Sequence, residues 1–312
     1  MLHTKPTQEG DIPLVIPTIQ KPCFTHYKIF GDISRNTPRV CVHGGPGAGH
    51  NYLLTFTELW GRNGIPVVLY DQIGCGLSTH LPETARDHSL WQVSLFVTEL
   101  NNVLDYLNLR GGFYLLGHSF GGMIAPEFAT TRPQGLRNLI LASGAPSGKL
   151  CRESLREVID LMPPDMREAI VETRRTGDFE APEYMKAMIY FNRWFLCRTE
   201  ITPPERLASV KNKIEDPTQG NAILGPSPFY EGGSIDDWDC TPRLHQMNVP
   251  TLVYNAEYDT SARYASPQPF SERIPYVLRV KFSDAGHMAH LESEELTEKV
   301  LQVVGKFLSE EQ

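Results

Sequence analysis

Residues 113–122, FYLLGHSFGG, constrain this chain more than any other stretch. An apolar run ends in Gly117-His118-Ser119-Phe120-Gly121, and another glycine follows. Gly-x-Ser-x-Gly between a strand and a helix forms a sharp elbow with the serine at its apex. The turn strains the backbone at the serine, and glycine, lacking Cβ, lets strand and helix come close enough to permit it. The motif therefore asks for a buried strand before it and a helix after it.

The neighbouring sequence supplies that context. RVCVHGG (39–45) and IPVVLYD (65–71) are short Val-rich runs ending in turn residues, and read as buried strands of a largely parallel sheet. Residues 89–109 place Leu90, Val93, Val97, Leu100, Leu104 and Leu107 at helical spacing, with Ser89 as the expected N-cap. FGGMIAPEFATTRP reads as a helix closed by Pro133, and LRNLILASG (136–144) as a further strand. This alternation predicts a mostly parallel sheet flanked by helices.

From Ala145 the texture changes to helical periodicity without strand signal. Tyr184, Met188, Phe191 and Phe195 form one helical stripe there, of a kind that usually packs a core. Strand character returns at 249–259 and 277–287, and a last helix is predicted over 293–309. The expected division is a core over 1–145, a helical cap over 146–239 inserted after a core strand, and the rest of the core over 240–312. A length of 312 residues suits an open-sheet enzyme with such an insertion.

Composition narrows the function. A formal charge of −8 argues against a nucleic-acid partner, which requires clustered Lys and Arg. No apolar run reaches the roughly 18 residues of a membrane span, so no membrane partner is expected. The N-terminal residues do not read as a secretory signal. Cys23, Cys41, Cys75, Cys151, Cys197 and Cys240 are scattered without a C-x-x-C pair, which gives neither a zinc site nor a disulfide framework. A cytoplasmic location with reduced thiols is the expectation, with Cys75 as a filler residue. Oligomeric state is not legible.

A serine hydroxyl needs a histidine to take its proton and a carboxylate to orient that histidine. In elbow-type enzymes the order is Ser, Asp or Glu, His, each just after a strand. Ser119 follows FYLLG, Asp259 follows TLVYNAEY, and His287 follows VLRVKFSDAG. These three are the expected catalytic set. Asp284 lies only three residues before His287, and Asp236, Asp237 and Asp239 precede the returning strand, where they suit capping or surface bridges. His245 precedes a strand and His290 begins the last helix. The oxyanion that forms during acyl transfer needs two N–H donors. One is expected from Phe120, the other from HGGPG (43–47), at Gly45 with Gly44 as the alternative. DQIGCGLS (71–78) is a third glycine-rich exit, expected to shape the pocket wall.

Taken in order, HGGPG, YDQIGCGLS, GHSFGG, EYD and AGHMAHLE resemble the proline iminopeptidase branch of the α/β-hydrolase superfamily. The resemblance covers nearly the whole chain. It implies an α/β-hydrolase fold with a helical cap, no cofactor or metal, and cleavage of an amide or ester in a small-molecule or short-peptide substrate. Exopeptidases of that branch hold the substrate amine with acids, one in the cap and one after the catalytic aspartate. Here LGPSPF (224–229) puts Pro228 at the first position, and Thr260 occupies the second. A buried ammonium without a carboxylate is costly, so a neutral or bulky apolar amide, ester or lactone, as in specialised metabolism, is the leading expectation. Substrate contacts are expected at Gly44, Tyr190, Trp194, Pro228 and Glu231, with Glu231, Glu200 or Glu205 as substitute acids. The alternatives are an iminopeptidase or amino-acid amidase acting on a free amine, and a ligand-binding protein or cyclase on the same fold.

Overall fold

The computed structural model describes residues 5–261, 263 and 266–309. Its strands are β1 (Gln8–Leu14), β2 (Cys23–Phe30), β3 (Arg39–Val42), β4 (Val67–Tyr70), β5 (Phe113–His118), β6 (Leu136–Ala142), β7 (Thr251–Ala256) and β8 (Val277–Phe282). They form one sheet in the order β1-β2-β4-β3-β5-β6-β7-β8. The pairs β1–β2 and β2–β4 are antiparallel, and every later pairing is parallel.

The central strands are buried along their whole length because helices cover both faces of the sheet. Successive side chains point to opposite faces. Val40, Val42, Val68 and Leu115 enter one core, against the Val93–Tyr106 and Gly121–Thr130 helices. Cys41, Leu69, Tyr114 and Leu116 enter the other, against the Glu294–Ser309 helix. The predicted alternation of strand and helix is thus present.

Two local features differ from the sequence reading. The β1–β2 hairpin escapes it, because β1 is an edge strand with only Ile12 and Leu14 buried among exposed and polar residues. The helix expected over 89–109 starts at Val93, and Ser89 is not its cap. Asp87 Oδ1 captures Ser89, accepting from its amide at 3.1 Å and its hydroxyl at 2.6 Å, and this Asx turn delays the helix.

Between β6 and β7 the chain forms a helical cap region: Gly148–Asp160, Pro164–Thr176, Pro182–Phe191, Pro204–Glu215 and Thr218–Leu224. Three of these helices begin with proline, whose missing N–H costs nothing in the first turn. After Phe191 the chain passes into a π turn, Asn192–Leu196. Tyr184, Phe191 and Phe195 are buried as core, while Met188 is only partly covered.

Candidate active site

Ser119 sits at φ +58°, a left-handed conformation that non-glycine residues adopt only where their surroundings enforce it. The enforcement is visible on both sides. A Cβ on Gly117 would stand 2.1 Å from the Gly121 carbonyl oxygen, and a Cβ on Gly121 would stand 2.0 Å from that of Val42. Only glycine at both positions lets the helix start directly against β5 and β3.

Asp259 and His287 leave the carboxyl ends of β7 and β8, both buried. Their side chains meet with 2.7 Å between His287 Nδ1 and Asp259 Oδ1. Burial by itself would raise the Asp259 carboxyl. The His287 imidazole and hydrogen bonds from Ser143 and Ser261 outweigh it and hold the group below its usual range. Ser261 donates its amide to Asp259 Oδ1 at 3.2 Å and its hydroxyl to the Ser143 carbonyl at 2.8 Å, tying the aspartate loop to the end of β6. The sequence signal for this brace is an Asp followed two residues later by a hydroxyl, an Asx-turn pattern.

The histidine loop is pinned from two directions. Glu292 accepts the Gly286 amide at 2.8 Å. The cap's π turn accepts the amides of His287, at Phe195 O (2.9 Å), and Met288, at Leu196 O (3.0 Å). Asp284 is exposed and pairs with Arg198 at 2.9 Å, away from His287 Nδ1. Asp236 binds Arg152 at 2.7 Å, and Asp239 accepts the Thr241 amide at the start of a short helix.

A relay behind the serine joins three loops. His118 Nε2 lies 3.0 Å from the His287 carbonyl, so it carries the proton and Nδ1 accepts. Tyr52 Oη donates to that Nδ1 at 3.0 Å and accepts the Gly44 amide at 2.6 Å. Burial pushes the His118 imidazole well below its usual range, which keeps the ring neutral for this role. Gly44 is thereby excluded as an oxyanion donor, its amide being spent on Tyr52. Gly45, at φ +123°, and Phe120 donate their amides to no acceptor among the described residues.

Ser119, His287, Gly45 and Phe120 line one cavity of about 460 Å³, roofed by the cap. That volume lies within the range of small-molecule pockets, roughly 300–1,000 Å³. Pro228, one of the expected contacts, and Thr260 are in its wall. Gly44, Tyr190, Trp194 and Glu231 are not. The π turn breaks the helical spacing after Phe191 and turns Trp194 outward, 43% exposed, with Arg198 over its ring at 5.6 Å. Tyr190 packs against Trp194 with the rings tilted and their centroids 5.9 Å apart. Glu231 instead pairs with Arg156 at the surface, at 2.6 Å. Glu200 and Glu205 are outside the lining as well, and DQIGCGLS lies behind it, where Gln72 Nε2 donates to the His43 carbonyl at 2.6 Å. Cys75 is buried and free, as are the other five cysteines.

The carboxylate that does line the cavity is Asp216, which the sequence reading missed. Burial alone would raise it, but Thr218 and His80, whose Nδ1 is 2.7 Å away, hold it below its usual range. Among the described residues no cluster of His, Cys, Asp or Glu could hold a metal ion, and no helix is long and apolar enough to cross a membrane.

Comparison with known proteins agrees with this fold. Residues 38–294 match the family model described as alpha/beta hydrolase fold. A proline iminopeptidase of Lactiplantibacillus plantarum is 35% identical over 275 residues, covering 86% of this chain and 92% of that protein. The crystal structure of VinJ is 34% identical with a TM-score of 0.89, covering 96% of this chain and 99% of that one. That of a proline iminopeptidase from Mycobacterium smegmatis is 31% identical with a TM-score of 0.86, covering 97% and 98%. The chain belongs to the α/β-hydrolase fold family, in its proline-iminopeptidase-like branch.

Proposed function

We propose that this member of the proline-iminopeptidase-like branch is a serine hydrolase that splits an amide bond of a small molecule or short peptide through an acyl-enzyme. The observation that carries the proposal is that His287, held by the buried Asp259 behind it, lines the same cavity as the strained Ser119. In this reading His287 Nε2 takes the Ser119 proton as Oγ attacks the carbonyl carbon. Asp259 accepts from Nδ1–H, fixes the tautomer and stabilises the imidazolium. The amides of Gly45 and Phe120 receive the oxyanion, and loss of one such donor typically costs about 3 kcal/mol. His287 then protonates the leaving amine, and the same residue activates the water that releases the acyl group.

The relatives' names, proline iminopeptidase, support a substrate with a free amine over the neutral or apolar amide, ester or lactone that is the leading expectation from the sequence. Asp216 is the carboxylate available to such an amine in place of Pro228 and Thr260. A second reading, hydrolysis of a neutral or apolar substrate, is favoured by one observation: both family anchor positions face the cavity as non-acids.

Prolyl-β-naphthylamide, its N-acetyl form and a short aryl ester separate the two. At least tenfold higher kcat/KM for the free amine, about 1.4 kcal/mol, is expected. Equal or faster turnover of the acetylated form overturns the free-amine reading in favour of the neutral one.

A further inference from the structure

The cap wall of the cavity carries positive charge that forms no ion pair among the described residues. Arg206 is 6% exposed and lines the cavity, yet no carboxylate lies within ion-pair distance of it among the described residues. It donates from Nη2 to the neutral Asn192 Oδ1 at 2.8 Å and lies against the Cys197 thiol, and its buried Nε meets no oxygen or nitrogen acceptor among the described residues. The adjacent thiol is no counter-ion, because burial pushes Cys197 up to about 11 despite the guanidinium. A guanidinium buried without an anion is costly, so a fold that keeps one on a cavity wall leaves a place for an anion.

A second orphan points the same way. Ser209 lines the cavity from the same Pro204–Glu215 helix, and its buried hydroxyl also lacks a partner among the described residues. Arg206, Ser209 and Lys213 recur at spacings of three and four, which sets them on one helix face, and all three line the cavity. Lys213 likewise has no ion-pair partner among the described residues.

We propose that Arg206, Ser209 and Lys213 form a subsite for a carboxylate of the substrate. A guanidinium fork with a hydroxyl donor beside it matches the acceptor geometry of a carboxylate, and the ammonium of Lys213 adds attraction along the same face. The inference rests on the reading of this cavity as the substrate site. In a short peptide the carboxylate is the free C-terminus of the leaving group. In another substrate it is carried on the acyl side.

Calorimetric titration with 4-phenylbutyrate and 4-phenylbutyramide tests binding independently of turnover. The acid is expected to bind the wild-type protein at least tenfold more tightly than the amide. Arg206→Gln should reduce that preference below twofold, and Arg206→Lys should keep part of it. Ser209→Ala, which leaves the charge in place, should weaken the acid alone by a few fold, and it serves if Arg206→Gln does not fold. Equal binding of acid and amide by the wild type overturns the subsite, as does a preference undiminished in every variant. The dipeptide Pro-Phe against its C-terminal amide, and glutamyl- against glutaminyl-naphthylamide, locate the carboxylate. A lower KM for the acid in the first pair puts it on the leaving group, and in the second on the acyl group. Turnover of all four with no preference in either pair overturns the subsite while the hydrolase reading stands. Acid-selective binding by a protein that turns over none of them leaves the subsite standing and overturns the free-amine reading.

Discussion

The carboxyl edge of the sheet and the cap face each other across one cavity, yet they are built by different rules. At the sheet edge, backbone geometry places each group: a serine at φ +58° between glycines that tolerate no Cβ, and an aspartate and histidine on the exits of adjacent strands. In the cap, side chains on helix faces do the placing, and one π turn decides which of them reach the cavity. In the proposed reaction the edge supplies the attacking and proton-carrying groups, and the cap supplies most of the remaining cavity wall. The two halves are joined where the π turn accepts the His287 and Met288 amides, so a cap change that disturbs this turn reaches the chemistry as well.

The contrast is sharpest in the glycines. Gly121→Ala drives a Cβ to 2.0 Å from the Val42 carbonyl oxygen and should destabilise by about 3 kcal/mol or more. Gly177→Ala, at the end of a cap helix with φ +73° and nothing within 4 Å, should cost only about 1 kcal/mol. Urea unfolding of both variants measures the difference, and equal losses would break the comparison.

The core also stores a pH dependence. Glu99 is fully buried, accepting from Thr25 Oγ1 at 2.6 Å and the Ile73 amide at 2.8 Å. Burial pushes its carboxyl up from 4.5 to about 8. Between those values the folded protein holds a proton that the unfolded chain releases. This group's contribution to stability therefore falls as pH rises through that window and levels off above it. A tenfold difference in proton affinity between the folded and unfolded chain is worth about 1.4 kcal/mol. Glu99→Gln should thus flatten the pH dependence and gain most on the wild type near pH 8. Thermal unfolding at pH 5 and pH 8 is the check.

Tyr52→Phe leaves the Gly44 amide and His118 Nδ1 unpaired inside the core, at a cost of about 1–3 kcal/mol. Because the relay holds the oxyanion and histidine loops together, kcat should fall more than KM rises. Smallest of all, Trp194→Ala and Glu231→Gln should leave kcat/KM within about twofold, since neither residue reaches the cavity. The exposed Glu231–Arg156 pair is worth no more than about 1 kcal/mol. A large loss in either variant would extend the selective surface beyond the cavity.

Legibility in the sequence follows the same division. Backbone-determined features leave marks at fixed spacing, so the elbow at Ser119 and the meeting of Asp259 with His287 are legible, each behind an apolar run. Edge strand β1 left no such mark, because half of its residues face water. Cap contacts were misassigned because helical spacing was extended through Trp194, past a π turn that no residue type announces. Arg206 and Ser209, three residues apart on the Pro204–Glu215 helix, belong to no motif and drew no expectation. Only the fold turns them inward.

The central claim is that Ser119 is an activated nucleophile opening into this cavity. Incubation with a fluorophosphonate probe followed by peptide mass spectrometry tests it most directly. The account predicts a single modified residue, Ser119, in the wild-type protein, and no labelling of Ser119→Ala. An unlabelled wild-type protein, or a variant labelled as fast as wild type, would contradict it.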